Sequence, residues 1–267
     1  MSQLQKFRLD GKVALVTGAS GLLGRQFCIG LVEAGAKIAV VDIDVTQAKL
    51  LADELGNKAE AFVCDVGDEN SVQNCVNSVI DVFGKIDILH NNAATKTSSL
   101  QEFFEPFETY SLDTWREVMS VNIDGMFLMA QAVGTYMLAA GSGTIIQTSS
   151  IYGLVGPDNK IYEGSDYMGG PINTPAVYSA SKAAVVGLTR WLATYWAGKG
   201  IRVNCLVSGG VATGQNTVFS EAYSNRVPME RMAESHEIVP ALLYLASDAS
   251  SYVTGQVMSV DGGWTSW

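Results

Sequence analysis

The sequence has few of the residues that mark metal-binding or disulfide-linked proteins. Its 267 residues include four cysteines, without Cys-x-x-Cys spacing, and two histidines. The cysteines fall in predicted helices and strands, so we expect reduced core thiols and no metal site. His90 follows the apolar pair Ile88-Leu89 at a predicted strand end, which favours a packed core residue over a ligand.

Basic blocks and long apolar runs are also missing. The chain has 17 Lys and Arg and 27 Asp and Glu, which gives a net charge of −10. This charge argues against nucleic acid as a partner. No run of 18 apolar residues indicates a membrane span, and the polar start, residues 1–10, lacks the apolar core of a signal peptide. We therefore expect a cytoplasmic protein that folds as one domain over residues 1–267.

Strand and helix patterns alternate along the chain. Strands are predicted near residues 13–17, 37–41, 59–64, 86–90, 143–149, 201–207 and 256–260. Helices are predicted near 22–35, 45–55, 68–83, 112–140, 177–198 and 236–247. This alternation predicts an α/β fold, a Rossmann-type doubly wound parallel sheet of about seven strands with helices on both faces.

A glycine-rich turn joins the first predicted strand to the first predicted helix. Glycines let the backbone approach a pyrophosphate, and a helix that begins there offers free N–H groups. A strand, a glycine turn and a helix in this order predict a dinucleotide site. The turn residues expected to contact it are Gly18, Ser20, Gly21, Leu22, Leu23 and Gly24.

The second predicted strand ends at Asp42, 18 residues after Gly24. At this spacing a carboxylate accepts hydrogen bonds from the ribose hydroxyls of adenosine and repels a 2′-phosphate. Neither Ala19 nor Ser20 offers a cation to hold such a phosphate. The cofactor is therefore predicted to be NAD, not NADP.

Tyr178 and Lys182 form a candidate acid/base pair in the segment Tyr-Ser-Ala-Ser-Lys. In a helix, residues four apart lie on one face. A free phenol has a pKa of about 10, and a nearby ammonium lowers it. The pair can then move a proton on and off an alcohol oxygen.

Together these motifs resemble the short-chain dehydrogenase/reductase family over nearly the whole chain. Further matches are Asp65-Val66, Asn91–Ala94, Asn122 in Ser-Val-Asn-Ile, Ser149-Ser150, Asn204–Thr213 and Asp261–Trp264. The resemblance implies a catalytic set of Asn122, Ser150, Tyr178 and Lys182. It also implies cofactor contacts by Ile43, Asp65, Val66, Asn92, Ala93, Ala94, Tyr178, Lys182, Val211 and Thr213.

The resemblance also assigns roles. Ser150 would donate a hydrogen bond to the substrate oxygen and Tyr178 would take the hydroxyl proton. Lys182 would lower the Tyr178 pKa and bind the nicotinamide ribose, while Asn122 would hold a water. A loop at about 151–177 and a lid at about 211–235 are expected to enclose the substrate. The candidate substrate contacts are Lys96, Ser150, Tyr152, Glu163, Tyr167 and Gly209.

Some positions depart from the short branch of the family. The Thr-Gly-x-x-Gly-x-x-Gly turn is more typical of its extended, sugar-nucleotide-modifying branch, and Ser208 stands where a proline is usual. Residues 157–178 and 225–229 resemble oxidoreductases of bacterial surface-sugar pathways. The leading hypothesis is an NAD-dependent dehydrogenase of an alcohol or sugar. The alternatives are an epimerase or dehydratase that retains NAD, and a non-enzymatic dinucleotide sensor.

Two predicted helices have apolar or small residues on more than one face, which indicates a second packing partner. These residues are Met126, Phe127, Met129, Ala183, Ala184 and Gly187. Relatives in the family pair these helices across a two-fold axis, so we expect a homotetramer or a dimer. The large apolar residues Trp264 and Trp267 are also expected at an interface.

Overall fold

The computed structural model describes residues 2–97, 99–167 and 170–267, without the side chain of Tyr167. The strands of the main sheet are β1 Val13–Thr17, β2 Lys37–Asp42, β3 Ala59–Val63, β4 Ile88–Asn91, β5 Gly143–Ser150, β6 Ile201–Ser208 and β7 Val257–Val260. These seven strands are parallel and form one sheet in the order β3-β2-β1-β4-β5-β6-β7. The predicted doubly wound parallel sheet is confirmed.

The helices begin and end where local chemistry favours it. They are α1 Leu22–Ala34, α2 Val45–Leu55, α3 Glu69–Phe83, α4 Leu100–Phe103, α5 Leu112–Met119, α6 Gly125–Ala140, α7 Ala176–Trp196, α8 Thr217–Arg226 and α9 Val239–Ala246. Asp44 caps α2 by accepting from the N–H groups of Thr46 and Gln47. Gly35 ends α1 in a left-handed conformation, φ 114°.

Helices cover both faces of the sheet. Helices α1, α2 and α9 pack on one face around Phe27, Leu31 and Leu242. Helices α3, α6 and α7 pack on the other around Val133 and Trp196. The continuous helical stretch Leu112–Ala140 is long and apolar enough to cross a membrane by length and composition. Its second part, α6, packs against β4 and β5, and core helices share the same length and composition.

The predicted helix at 112–140 is interrupted. A π-helical turn, Ser120–Asp124, separates α5 from α6 and contains Asn122. Such turns are frequent at functional sites because they re-aim a side chain. The rest of the predicted helix bounds agree with the structure to within a few residues.

The expectation that Trp264 lies at a subunit interface is wrong. Its side chain is 2% exposed and stacks on Tyr223, because the chain end folds back under α8. Met126 and Met129 are also buried within this chain, so the sheet already supplies their partners. Phe127, Ala183 and Gly187 remain exposed, as does Trp267.

Candidate active site

The glycine turn is held against the end of β4 by one hydroxyl. Thr17 Oγ1 accepts from the backbone N–H groups of Asn92 and Ala93, at 3.0 and 3.1 Å. Gly18 has φ +60°, and a Cβ there would lie 2.8 Å from the Ala93 Cα. Only glycine therefore allows this close approach. Asn92 adds a second link, since its amide donates to the carbonyls of Thr17 and Gly18.

Asp42 ends β2 and turns its carboxylate toward the glycine turn. One oxygen accepts from Ser20 N and Ser20 Oγ, at 2.9 and 2.6 Å, and the other accepts from Asp44 N at 3.2 Å. A carboxylate has about four lone-pair positions. Capacity therefore remains for a ribose hydroxyl, while a phosphate beside this charge would be repelled.

The remaining predicted cofactor residues border the same edge of the sheet. Asp65 is exposed and accepts from Gly67 N at 2.9 Å, whereas Val66 is buried against Gly125. Leu22 and Ile43 are 50% and 67% exposed. Exposed apolar side chains flank the turn and Asp42, a setting that suits an adenine ring and a ribose. The residues present therefore fit a dinucleotide.

Ser150, Tyr178 and Lys182 come together at the carboxyl end of β5. Ser150 ends that strand, and Tyr178 and Lys182 are one turn apart at the start of α7. Lys182 is 3% exposed, its Nζ donates to the Thr148 carbonyl at 3.1 Å, and it lies 5.9 Å from the centre of the Tyr178 ring. A base, its hydroxyl neighbour and a cation thus share one corner of the fold.

The protonation balance in this corner differs from the sequence-based expectation. Burial raises the pKa of Tyr178, and only the Ser150 hydroxyl opposes it. Burial also lowers the pKa of Lys182, to about 8. Desolvation is therefore the largest influence on the pKa of both groups.

Asn122 lies in the π-helical turn with both ends of its amide engaged. Its oxygen accepts from Thr95 N at 2.9 Å, and its nitrogen donates to Ser181 Oγ at 3.2 Å. The side chain therefore ties the loop after β4 to the start of α7. This contact positions the helix that carries Tyr178 and Lys182.

A cavity of about 450 Å³ opens in front of Tyr178 and Ser150. Of the predicted substrate residues, Lys96, Ser150, Tyr152 and Gly209 line it. Val211 and Thr213, predicted to contact cofactor, line it too, at the start of the predicted lid. The lid itself consists of α8 and a bridge between Val211 and Ala233.

Glu163 is placed differently. It lines a neighbouring cavity of about 380 Å³, which shares with the first the wall formed by Tyr162 and residues 172–175. The side chain of Tyr167 lies outside the described part of the chain. The loop at 151–177 contains two short 3₁₀ turns, Ile151–Gly153 and Asn159–Tyr162, and a two-residue antiparallel pair.

Several cavity residues were missed by sequence reasoning. Tyr162 and Thr174 come from the substrate loop, and Phe219, Tyr223 and Met232 come from the lid. The four-residue spacing of Phe219 and Tyr223 places both on one face of a helix, which was a usable signal. Nothing local marked Tyr162 or Thr174, because their place depends on how the loop folds over the sheet.

Known proteins resemble this chain over its full length. A family model described as enoyl-(acyl carrier protein) reductase matches residues 18–265. A D-threitol dehydrogenase of Mycolicibacterium smegmatis is 38% identical, covering 97% of this chain and 95% of the relative. A galactitol 2-dehydrogenase (L-tagatose-forming) of Cereibacter sphaeroides is 37% identical, covering 98% of each.

Solved structures agree in fold and differ in bound dinucleotide. A gluconate 5-dehydrogenase of Burkholderia cenocepacia, in complex with NADP and tartrate, superposes with a TM-score of 0.88 at 34% identity over 100% of both chains. An NAD⁺-bound xylitol dehydrogenase superposes with a TM-score of 0.83 at 31% identity, over 96% of this chain and 99% of that chain.

Proposed function

Because this chain belongs to the short-chain dehydrogenase/reductase family, we propose that it is an NAD-dependent dehydrogenase that oxidises a secondary alcohol of a polyol or sugar. The observation that carries the proposal is that Ser150 and Tyr178 line the same cavity of about 450 Å³. Relatives named for polyols and sugar acids support this substrate class.

Each residue of the set has a distinct task. Ser150 binds the substrate oxygen, and Tyr178 accepts the hydroxyl proton as the carbon–hydrogen bond breaks. Lys182 would hold the nicotinamide ribose, and its charge would favour the phenolate form of Tyr178 against the effect of burial. Asn122 positions α7 through its hydrogen bond to Ser181, and it would hold the water that links Lys182 to solvent. The dinucleotide supplies the hydride acceptor.

NAD is the cofactor we propose. The Asp42 carboxylate would repel the 2′-phosphate of NADP, and its contacts with Ser20 use only part of the carboxylate's hydrogen-bonding capacity. Gly18, Gly21 and Gly24 would hold the pyrophosphate, and Asp65 the adenine side. We infer a cytoplasmic location from four buried cysteines, all free thiols.

The test is a screen of polyols, sugars, hydroxy acids and monohydroxy alcohols, following NADH absorbance. Tyr178→Phe is expected to lower kcat by at least about 100-fold, the usual contribution of an acid/base group, with NAD binding retained. Tyr252→Phe, at a fully exposed residue, is the matched control and should keep the wild-type rate. A near-normal rate for Tyr178→Phe would exclude this mechanism.

The alternative of an epimerase or dehydratase rests on the Gly18-x-x-Gly21-x-x-Gly24 spacing. Activity without net NADH formation, on a nucleotide-linked sugar, would support it and would also support a surface-sugar pathway. A dinucleotide sensor is disfavoured, because Tyr178 and Lys182 are both retained. Tight NAD binding without turnover of any substrate would favour the sensor.

A further inference from the structure

Three hydroxyl groups outside the proposed acid/base set form a chain along the wall of the active-site cavity. Tyr162 Oη lies 2.6 Å from Thr174 Oγ1 and donates to Tyr152 Oη at 3.4 Å. All three residues line the cavity that Ser150 and Tyr178 line. We name Tyr152, Tyr162 and Thr174 the hydroxyl chain.

The aromatic rings of the hydroxyl chain are held by packing. Tyr152 meets Trp264 edge to face, with ring centres 6.3 Å apart, and Trp264 is buried. Tyr162 stacks on Phe219 of α8, with ring centres 5.5 Å apart. A rigid ring presents its hydroxyl at little entropic cost on binding, since two torsions are already fixed.

The hydroxyl chain has hydrogen-bonding capacity to spare. Each hydroxyl has one O–H donor and two acceptor lone pairs. The two contacts use at most two of the three O–H protons, so at least one donor and several lone pairs remain for a ligand. Burial raises the pKa of Tyr152, which keeps this phenol protonated and able to donate.

The cavity wall is also nearly free of charge. Among the residues that line it, in the described part of the chain, the charged ones are Lys96 and Asp166. Both are exposed at the rim. A carboxylate bound beside Tyr178 would find no cation on the described deep wall of the cavity, since Lys182 is buried behind that wall and its Nζ donates to the Thr148 carbonyl. Burying an unpaired charge is costly.

We propose that Tyr152, Tyr162 and Thr174 bind the hydroxyls adjacent to the reacting carbon and thereby make the enzyme selective for neutral polyols over sugar acids. The proposal rests on the proposed function and names the substrate class of that site. The ligand it predicts has a secondary alcohol at the acid/base pair and further hydroxyls within reach of the chain.

The first test removes single hydroxyls and keeps the side-chain shape. Tyr152→Phe, Tyr162→Phe and Thr174→Val are compared with wild type on the best neutral polyol of a panel containing threitol, xylitol and galactitol. Tyr110→Phe is the matched control, since its buried hydroxyl has no partner in the described structure and lines the neighbouring cavity. KM and kcat for the polyol, KM for NAD and thermal midpoints are measured.

We expect the polyol KM to rise about 3- to 10-fold per hydroxyl, the range that one neutral hydrogen bond supports. The KM for NAD and the thermal midpoint should stay at wild-type values, and Tyr110→Phe should behave as wild type. Unchanged polyol KM in all three variants would overturn the proposal. So would equal losses in polyol and NAD binding, which would show a structural role.

The second test compares charge at equal size. Wild-type enzyme is assayed with galactitol and with galactonate, which carries a carboxylate in place of one terminal CH2OH, and we expect kcat/KM to favour galactitol at least about 10-fold. Equal kcat/KM for the two compounds, or a preference for galactonate, would overturn the inference and leave the dehydrogenase function intact. Turnover of no compound in either test, with NAD or NADP, would instead refute the proposed function.

Discussion

Replacing His90 with glutamine is expected to remove much of the acid sensitivity of this fold. His90 is fully buried on β4. The centre of its ring lies 4.5 Å from the centre of the Phe27 ring, and its Nε2 lies 2.8 Å from Thr148 Oγ1. Its Nδ1 has no hydrogen-bond partner in the described structure. Burial lowers the His90 pKa from 6.5 to about 3.

The direction of the effect follows from these two pKa values. The unfolded chain binds a proton at His90 below about pH 6.5, and the folded chain only near pH 3. Protonation therefore favours the unfolded chain, so stability is full above about pH 6.5 and is lost as the pH falls toward 3. At about 1.36 kcal/mol per pKa unit, His90 alone lowers the free energy of unfolding by about 2 kcal/mol between pH 7 and pH 5. The total loss at low pH is about 5 kcal/mol.

The assay is urea unfolding at one protein concentration from pH 5 to pH 8. His90→Gln keeps a polar group for Thr148 and does not titrate, so its unfolding free energy should fall by about 2 kcal/mol less than wild type over that range. His236→Gln is the matched control, because His236 is exposed. Equal pH slopes in wild type and His90→Gln would refute the reasoning.

Three further predictions concern the cofactor, the loop and assembly. Asp42→Ala should raise the ratio of kcat/KM with NADP to kcat/KM with NAD by about 10-fold or more. The variant loses hydrogen bonds from the ribose to a charged group, which contribute about 1.5–3 kcal/mol each. Use of both dinucleotides by the wild-type enzyme would contradict the role given to Asp42. Replacing residues 157–172 with a short Gly-Ser bridge should raise the polyol KM sharply and leave the NAD affinity nearly unchanged. If the shortened enzyme were as active as wild type, the loop would be only a surface insertion. We expect a homotetramer in which α6 and α7 pair through their exposed faces. On α7 the exposed rings of Trp191 and Tyr195 stack with their centres 4.8 Å apart. Gly187→Arg should dissociate the tetramer in a sedimentation experiment, and a wild-type monomer at micromolar concentration would exclude the tetramer.

The sheet, most helices and the fold class could be predicted from the sequence. These depend on local patterns: β-branched apolar runs for the strands, apolar periodicity for the helices, and glycines where the chain turns with positive φ. The glycine turn and Asp42 could be found the same way, because their spacing along one strand–helix–strand unit is short. The helical repeat placed Tyr178 and Lys182 one turn apart, whereas their catalytic role stays a prediction from the family resemblance.

Contacts between distant segments decided the rest. The π-helical turn at Asn122 depends on hydrogen bonds to Thr95 and Ser181, which come from two other elements. The burial of Trp264 depends on α8 folding over the chain end. Neither contact leaves a periodic trace in the sequence.

The protonation balance and the cavity were also tertiary outcomes. Spacing placed Lys182 beside Tyr178, but burial is the largest influence on the Tyr178 pKa. The hydroxyl chain joins residues 152, 162 and 174, whose hydroxyls meet only because the loop closes over the end of β5. Local sequence determines which elements form, whereas desolvation and long-range packing determine what their side chains can do.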